Sequence, residues 1–95
     1  MATDEQLGRR IMKLDYYTRK VYARSEGMVE ASGLVLASRE AAYGDGGKVL
    51  GVDFRFTGGT AADVSKLGQG MSVAFRRCRV TWGTDRDGGW VKLRY

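Results

Sequence analysis

The apolar residues of this chain change period part-way along, and that change limits its fold more than any other feature. Up to about Arg24, Leu7, Ile11, Leu14, Val21 and Tyr22 recur at three- and four-residue spacing, within roughly a 100° arc of a helix. From Gly27 the period shortens toward two, with Gly33, Gly44, Gly46 and Gly47 as punctuation. A chain that is helical first and strand-rich afterwards buries both parts by laying the helix on the sheet. Ninety-five residues supply one small core, so residues 1–95 form a single domain, helical over about 4–24 and β-rich over about 28–95. The expected class is α+β: an N-terminal amphipathic helix on a mainly antiparallel sheet of four to five strands, with a short helix between the central strands.

Local signals fill in this outline. Thr3, Asp4 and Glu5 open the helix where negative charge suits the macrodipole. Met28 to Arg39 reads as a strand broken at Ser32-Gly33, and residues 38–43 fit either a strand or a helical turn. In Lys48 to Thr57, Leu50, Val52, Phe54 and Phe56 alternate with Val49, Gly51, Asp53 and Arg55, the pattern of a half-buried strand. Thr60 with Asp63 forms a capping box for a short helix stopping at Gly68. Met71 to Trp82 reads as a strand whose apolar parity changes at Arg76-Arg77, as a β-bulge would produce. A loop over Gly83 to Gly89 then leads to a last strand, Trp90 to Tyr95. The expected core contains Leu7, Ile11, Leu14, Val21, Leu50, Val52, Phe54, Phe56, Val73, Phe75, Cys78, Val80, Val91 and Leu93.

Charge is concentrated. The net charge is +5, yet residues Arg9 to Arg24 hold six Lys or Arg against Asp15, and residues Arg76 to Tyr95 hold six more against Asp85 and Asp87. Both stretches are interleaved with aromatic residues, which directs attention to anionic partners. Arg9, Lys13, Tyr16 and Lys20 recur at helical spacing on one solvent-facing ridge. If the bulge holds, Arg77, Arg79 and Thr81 lie across a hairpin from Trp90, Lys92 and Arg94, placing four cations around an indole. The competing reading is a solvated helix face and a charge-guarded sheet edge.

The remaining motifs carry less. Thr84 to Gly89 alternates acids before a Gly but lacks the first and last oxygen ligands of a calcium loop, so it reads as a turn. Gly58-Gly59 matches neither phosphate-loop spacing. Asp63-Val64-Ser65-Lys66-Leu67-Gly68 resembles the D-x-S-x-x-G element of the PilZ family, which implies cyclic-dinucleotide binding. That family's upstream pair of arginines separated by three residues has no counterpart here.

Composition narrows the chemistry. The chain has no histidine, which removes the commonest general base and metal ligand, and its one cysteine has no internal partner for a disulfide. No nucleophile with an activating base, paired acids or metal cluster is evident, so neither an enzyme nor a cofactor is expected. No apolar run reaches membrane-spanning length, and the acidic start lacks the pattern of a secretory signal, so a cytoplasmic location is expected, host cytoplasm if the chain is viral. The leading expectation is a small non-catalytic module contacting nucleic acid through Arg77, Arg79, Trp90, Lys92, Arg94, Arg9, Lys13, Tyr16 and Lys20. The alternative is an adaptor or inhibitor, of the compact kind viruses encode to engage host machinery, using the same surface on an acidic protein or using a sheet edge. Homodimerisation and small-ligand sensing are further expectations.

Overall fold

A computed structural model describes the backbone of residues 4–95 and the side chains of residues 16–95. The elements run α1 (Asp4–Ser32), β1 (Val35–Tyr43), a short 3-10 turn (Asp45–Gly47), β2 (Val49–Thr57), α2 (Ala61–Ala74), β3 (Arg79–Asp85) and β4 (Gly88–Arg94). The four strands form one sheet in the order β1-β2-β4-β3, with every neighbouring pair antiparallel. Helix α1 lies against β1 and β2, and α2 against β3 and β4. The fold is therefore the expected α+β arrangement, with four strands and one helix-covered sheet face. Among the described residues, no helix is long and apolar enough to cross a membrane.

Helix α1 runs eight residues beyond its expected end. Thr18, Val21, Ser25 and Val29 are all buried, so the inward stripe continues at helical spacing through the segment read as the start of a strand. Gly27 faces open space and leaves the stripe uninterrupted. The helix ends at Gly33, whose φ of +75° is the left-handed cap that glycine adopts without strain. The two buried hydroxyls are satisfied: Thr18 shares a 2.7 Å hydrogen bond with the Tyr95 hydroxyl, and Ser25 donates to the Tyr22 carbonyl. Residues 38–43 are strand.

The core centres on Phe54, Phe56, Val52, Met71, Leu93, Val91, Val64 and Val21. Strand β2 alternates as expected from Val52 onward, but Val49 is buried and Leu50 is 41 % exposed. The cause is a register shift against β1, in which Ala42 pairs with Gly51 while Tyr43 pairs with Val49, so one residue of β2 is skipped and the parity inverts. Leu7, Ile11 and Leu14 lie outside the described side chains.

The largest correction concerns residues 61–78. The Thr60–Asp63 capping box is present, but α2 continues through Gly68 and Gly70 to Ala74. Met71 and Phe75 are therefore inward at i and i+4, and Val73, expected inward on a strand, is 69 % exposed. The parity change at Arg76-Arg77 marks the exit of a helix, not a bulge. Cys78 is half-buried in the turn before β3, and the PilZ-like hexapeptide is the interior of α2, with Val64 and Leu67 in the core. The expected seven-residue loop shrinks to Arg86-Asp87, because Gly83 and Thr84 pair with Trp90 and Gly89 inside the hairpin.

Candidate functional site

Two surfaces carry the sequence-derived site residues, and they differ in electrostatics. The first is the open face of the sheet. Cross-strand register builds it in rows: Ala42, Gly51, Arg94 and Arg79; then Glu40, Asp53, Lys92 and Thr81; then Ser38, Arg55, Trp90 and Gly83. Trp90 is half-buried and on this face, not in the core. Its indole lies over Gly83, where a Cβ would come within 2.7 Å of the ring, and the Lys92 ammonium stands 5.2 Å from the ring centroid.

Acids of the same sheet pair with two of the four cations on this face, while Arg79 and Lys92 have no ion pair among the described residues. Arg94 donates to Asp53 at 2.7 Å, and Arg55 grips Asp85 with both of its terminal nitrogens, at 2.7 and 3.4 Å. The shallow cavity of about 390 Å³ over this face is lined by Glu40, Asp53 and Asp85 against only Arg55 and Lys92. A phosphate entering that cavity meets three carboxylates and two cations. The expected platform of cations around Trp90 is thus a partly compensated surface.

Arg77 is not on that face. With the bulge replaced by a helix end, Arg77 lies in the turn between α2 and β3, against α1. There it helps line a groove of about 450 Å³ whose walls are Tyr17, Lys20, Val21, Ala23 and Arg24 of α1 and Ala74, Phe75, Arg76 and Arg77 at the end of α2. Among the described residues, four cations and no carboxylate line it. None of the four forms an ion pair among the described residues. The Lys20 ammonium lies 4.6 Å from the Tyr16 ring centroid, and the Arg24 guanidinium lies 6.0 Å from that of Phe75, so both charges stand over aromatic faces. Arg79 begins β3 one residue past Cys78 and is exposed.

A second cavity of about 240 Å³ adjoins the groove and shares Tyr17 and Arg77 with it, adding Cys78 and Tyr95. The rings of Tyr17 and Tyr95 meet edge to face, 5.0 Å between centroids at 80°. The Tyr17 hydroxyl is 3.4 Å from the Cys78 sulfur. That hydrogen bond, together with partial burial and the nearby Cys78 and Tyr95 groups, pushes the Tyr17 phenol up to about 12, with Arg77 pulling the other way.

Of the residues singled out from the sequence, Lys20 and Arg77 share the groove, Tyr16 lies beside it under Lys20, and Arg79 belongs to the open sheet face. Trp90, Lys92 and Arg94 belong to the same, partly compensated face. Arg9 and Lys13 lie outside the described side chains. Sequence reasoning missed Arg24, Arg76, Tyr17 and Tyr95. All four sit in the two basic stretches, but only the fold brings those stretches together. Among the described residues, no group of three or more acids and cysteines is placed to hold a metal ion. Compared with family models, curated proteins and solved structures, the chain finds no match, so the site is read from its own geometry.

Proposed function

We propose that the chain is a small non-catalytic binding module that contacts nucleic acid through the groove between α1 and the end of α2. The observation that carries this reading is the lining: Lys20, Arg24, Arg76 and Arg77 in one concavity, with no carboxylate among the described residues that form it. Such a concavity raises the local concentration of polyanions, and phosphates that displace counterions there supply affinity without sequence readout. Retardation of labelled oligonucleotides at two salt concentrations tests it. The wild-type chain is expected to bind at low salt and release steeply as salt rises. Arg76→Ala with Arg77→Ala is expected to weaken binding about tenfold or more, equivalent to about 1.4 kcal/mol or more. Lys92→Ala, on the partly compensated face, is expected to change it little. Absence of retention at low salt, or equal losses from both variants, would overturn the assignment.

A second reading, protein contact through a sheet edge, rests on β1. This nine-residue edge strand exposes Val35 (64 %), Leu36 (38 %) and Tyr43 (56 %) and contains neither lysine nor proline. Its charged residues, Arg39 and Glu40, sit at its centre, between these exposed apolar ends. An edge with exposed apolar ends invites strand addition, and a second copy of the chain always presents the same edge, which makes a homodimer the direct form of this reading. Sedimentation is expected to show a concentration-dependent dimer that Leu36→Lys abolishes. A monomer at every concentration would remove it.

A further inference from the structure

We infer that the nucleic acid taken up by the groove is single-stranded, with one base held against Tyr17 and Tyr95 while its phosphates lie among Lys20, Arg24, Arg76 and Arg77. This rests on the nucleic-acid reading above and specifies its ligand. Three observations carry it.

The cationic groove and the tyrosine cavity are contiguous, since Tyr17 and Arg77 line both. Phosphate-binding and ring-binding chemistry therefore meet at one place, the two halves of an unpaired nucleotide. Second, both tyrosines are partly open to solvent, Tyr17 by 38 % and Tyr95 by 43 %. Third, their hydroxyls are anchored within the fold. Tyr95 bonds Thr18 at 2.7 Å and Tyr17 contacts the Cys78 sulfur at 3.4 Å. Rings held at their polar ends lose little conformational freedom when a planar ligand meets them, and these two already stand edge to face. Bases of a duplex are stacked and paired within the helix, so only an unpaired strand offers a base to this cavity together with its backbone to the cations. Stacking on aromatic side chains is also indifferent to base identity, so the ring contacts impose no sequence preference.

Titration of the full chain with a labelled oligothymidylate and with a duplex of equal length tests the inference. Single strand is expected to bind about tenfold or more tightly than duplex at the same salt. Tyr95→Leu is expected to remove most of that margin by weakening single-strand binding, and Tyr95→Phe, which keeps the ring but loses its bond to Thr18, is expected to retain more of the margin than Tyr95→Leu. Photocrosslinking of the wild-type chain to a bromouridine-substituted oligonucleotide needs no variant to fold and is expected to map to Tyr17 or Tyr95. Equal affinity for both oligonucleotides, or crosslinks confined to Trp90, would overturn the inference and leave nucleic-acid binding standing. Failure of both oligonucleotides to bind would overturn both.

Discussion

Tyr17 links the fold to the site at the level of one side chain. Its hydroxyl holds Cys78 across the join between α1 and the turn before β3, while its ring lines both cavities. The neutral phenol is favoured in the folded chain, with its ionisation moved from 10.0 to about 12. A raised acid gives stability that is complete below the unfolded pKa of 10.0 and is lost as pH climbs toward 12. An ultraviolet tyrosinate titration is therefore expected to contain one late-ionising phenol that Tyr17→Phe removes, with a smaller alkaline loss of stability in the variant. A Tyr17→Phe chain that retains the late step would contradict the assignment. Two glycines of α2 make a second residue-scale contrast. A Cβ at Gly68 would collide with the Trp82 ring, whereas one at Gly70 would sit 3.4 Å from the flexible end of Met28. Gly68→Ala is expected to destabilise, because overpacking of about 1–3 kcal/mol exceeds a helix-propensity gain of about 1 kcal/mol. Gly70→Ala is expected to stabilise by up to about 1 kcal/mol, and denaturant midpoints distinguish the two.

At the scale of elements, α2 decides where the site is. Thr60 accepts from the Asp63 amide at 3.2 Å to start it, and Thr60→Ala is expected to cost about 1 kcal/mol in thermal or denaturant unfolding. From that cap the helix runs to Ala74, which puts Arg76 and Arg77 beside α1. Legibility followed the period of burial. Phe54, Phe56, Val91 and Leu93 were readable because strands with one covered face write alternation into the sequence. Met71, Val73 and Phe75 were not, because three apolar residues at spacing two fit a strand, while only tertiary packing shows that Met71 and Phe75 share a helical face and Val73 does not. Gly68 reads as a stop signal, yet it lies inside the helix because Trp82 needs the space above it. That one misreading displaced Arg77 onto the sheet, and with it the expected platform. Lys20 was legible as an outward cation of α1, and its partners across the groove were not, since they lie more than fifty residues away in the chain.

For the whole molecule, a net charge of +5 tells less than where each charge is already balanced. Counterions condensed on a polyanion are released only by cations that can give themselves wholly to phosphates. Arg94 and Arg55 are committed to Asp53 and Asp85, each at 2.7 Å, so contact with the open sheet face would exchange one ion pair for another. Lys20, Arg24, Arg76 and Arg77 have no such commitment among the described residues. If these four carry the binding, the logarithm of the affinity for single strands is expected to fall with the logarithm of salt at a slope of about −3. Removing Arg76 and Arg77 is expected to reduce that slope to about −1.5, beyond any change in affinity at a single salt concentration. A slope that survives this double substitution but falls on replacing Arg79 and Lys92 would place the phosphates on the sheet instead. The measurement thus separates the groove cations from those of the sheet face, where two of the four, Arg55 and Arg94, are already held by carboxylates.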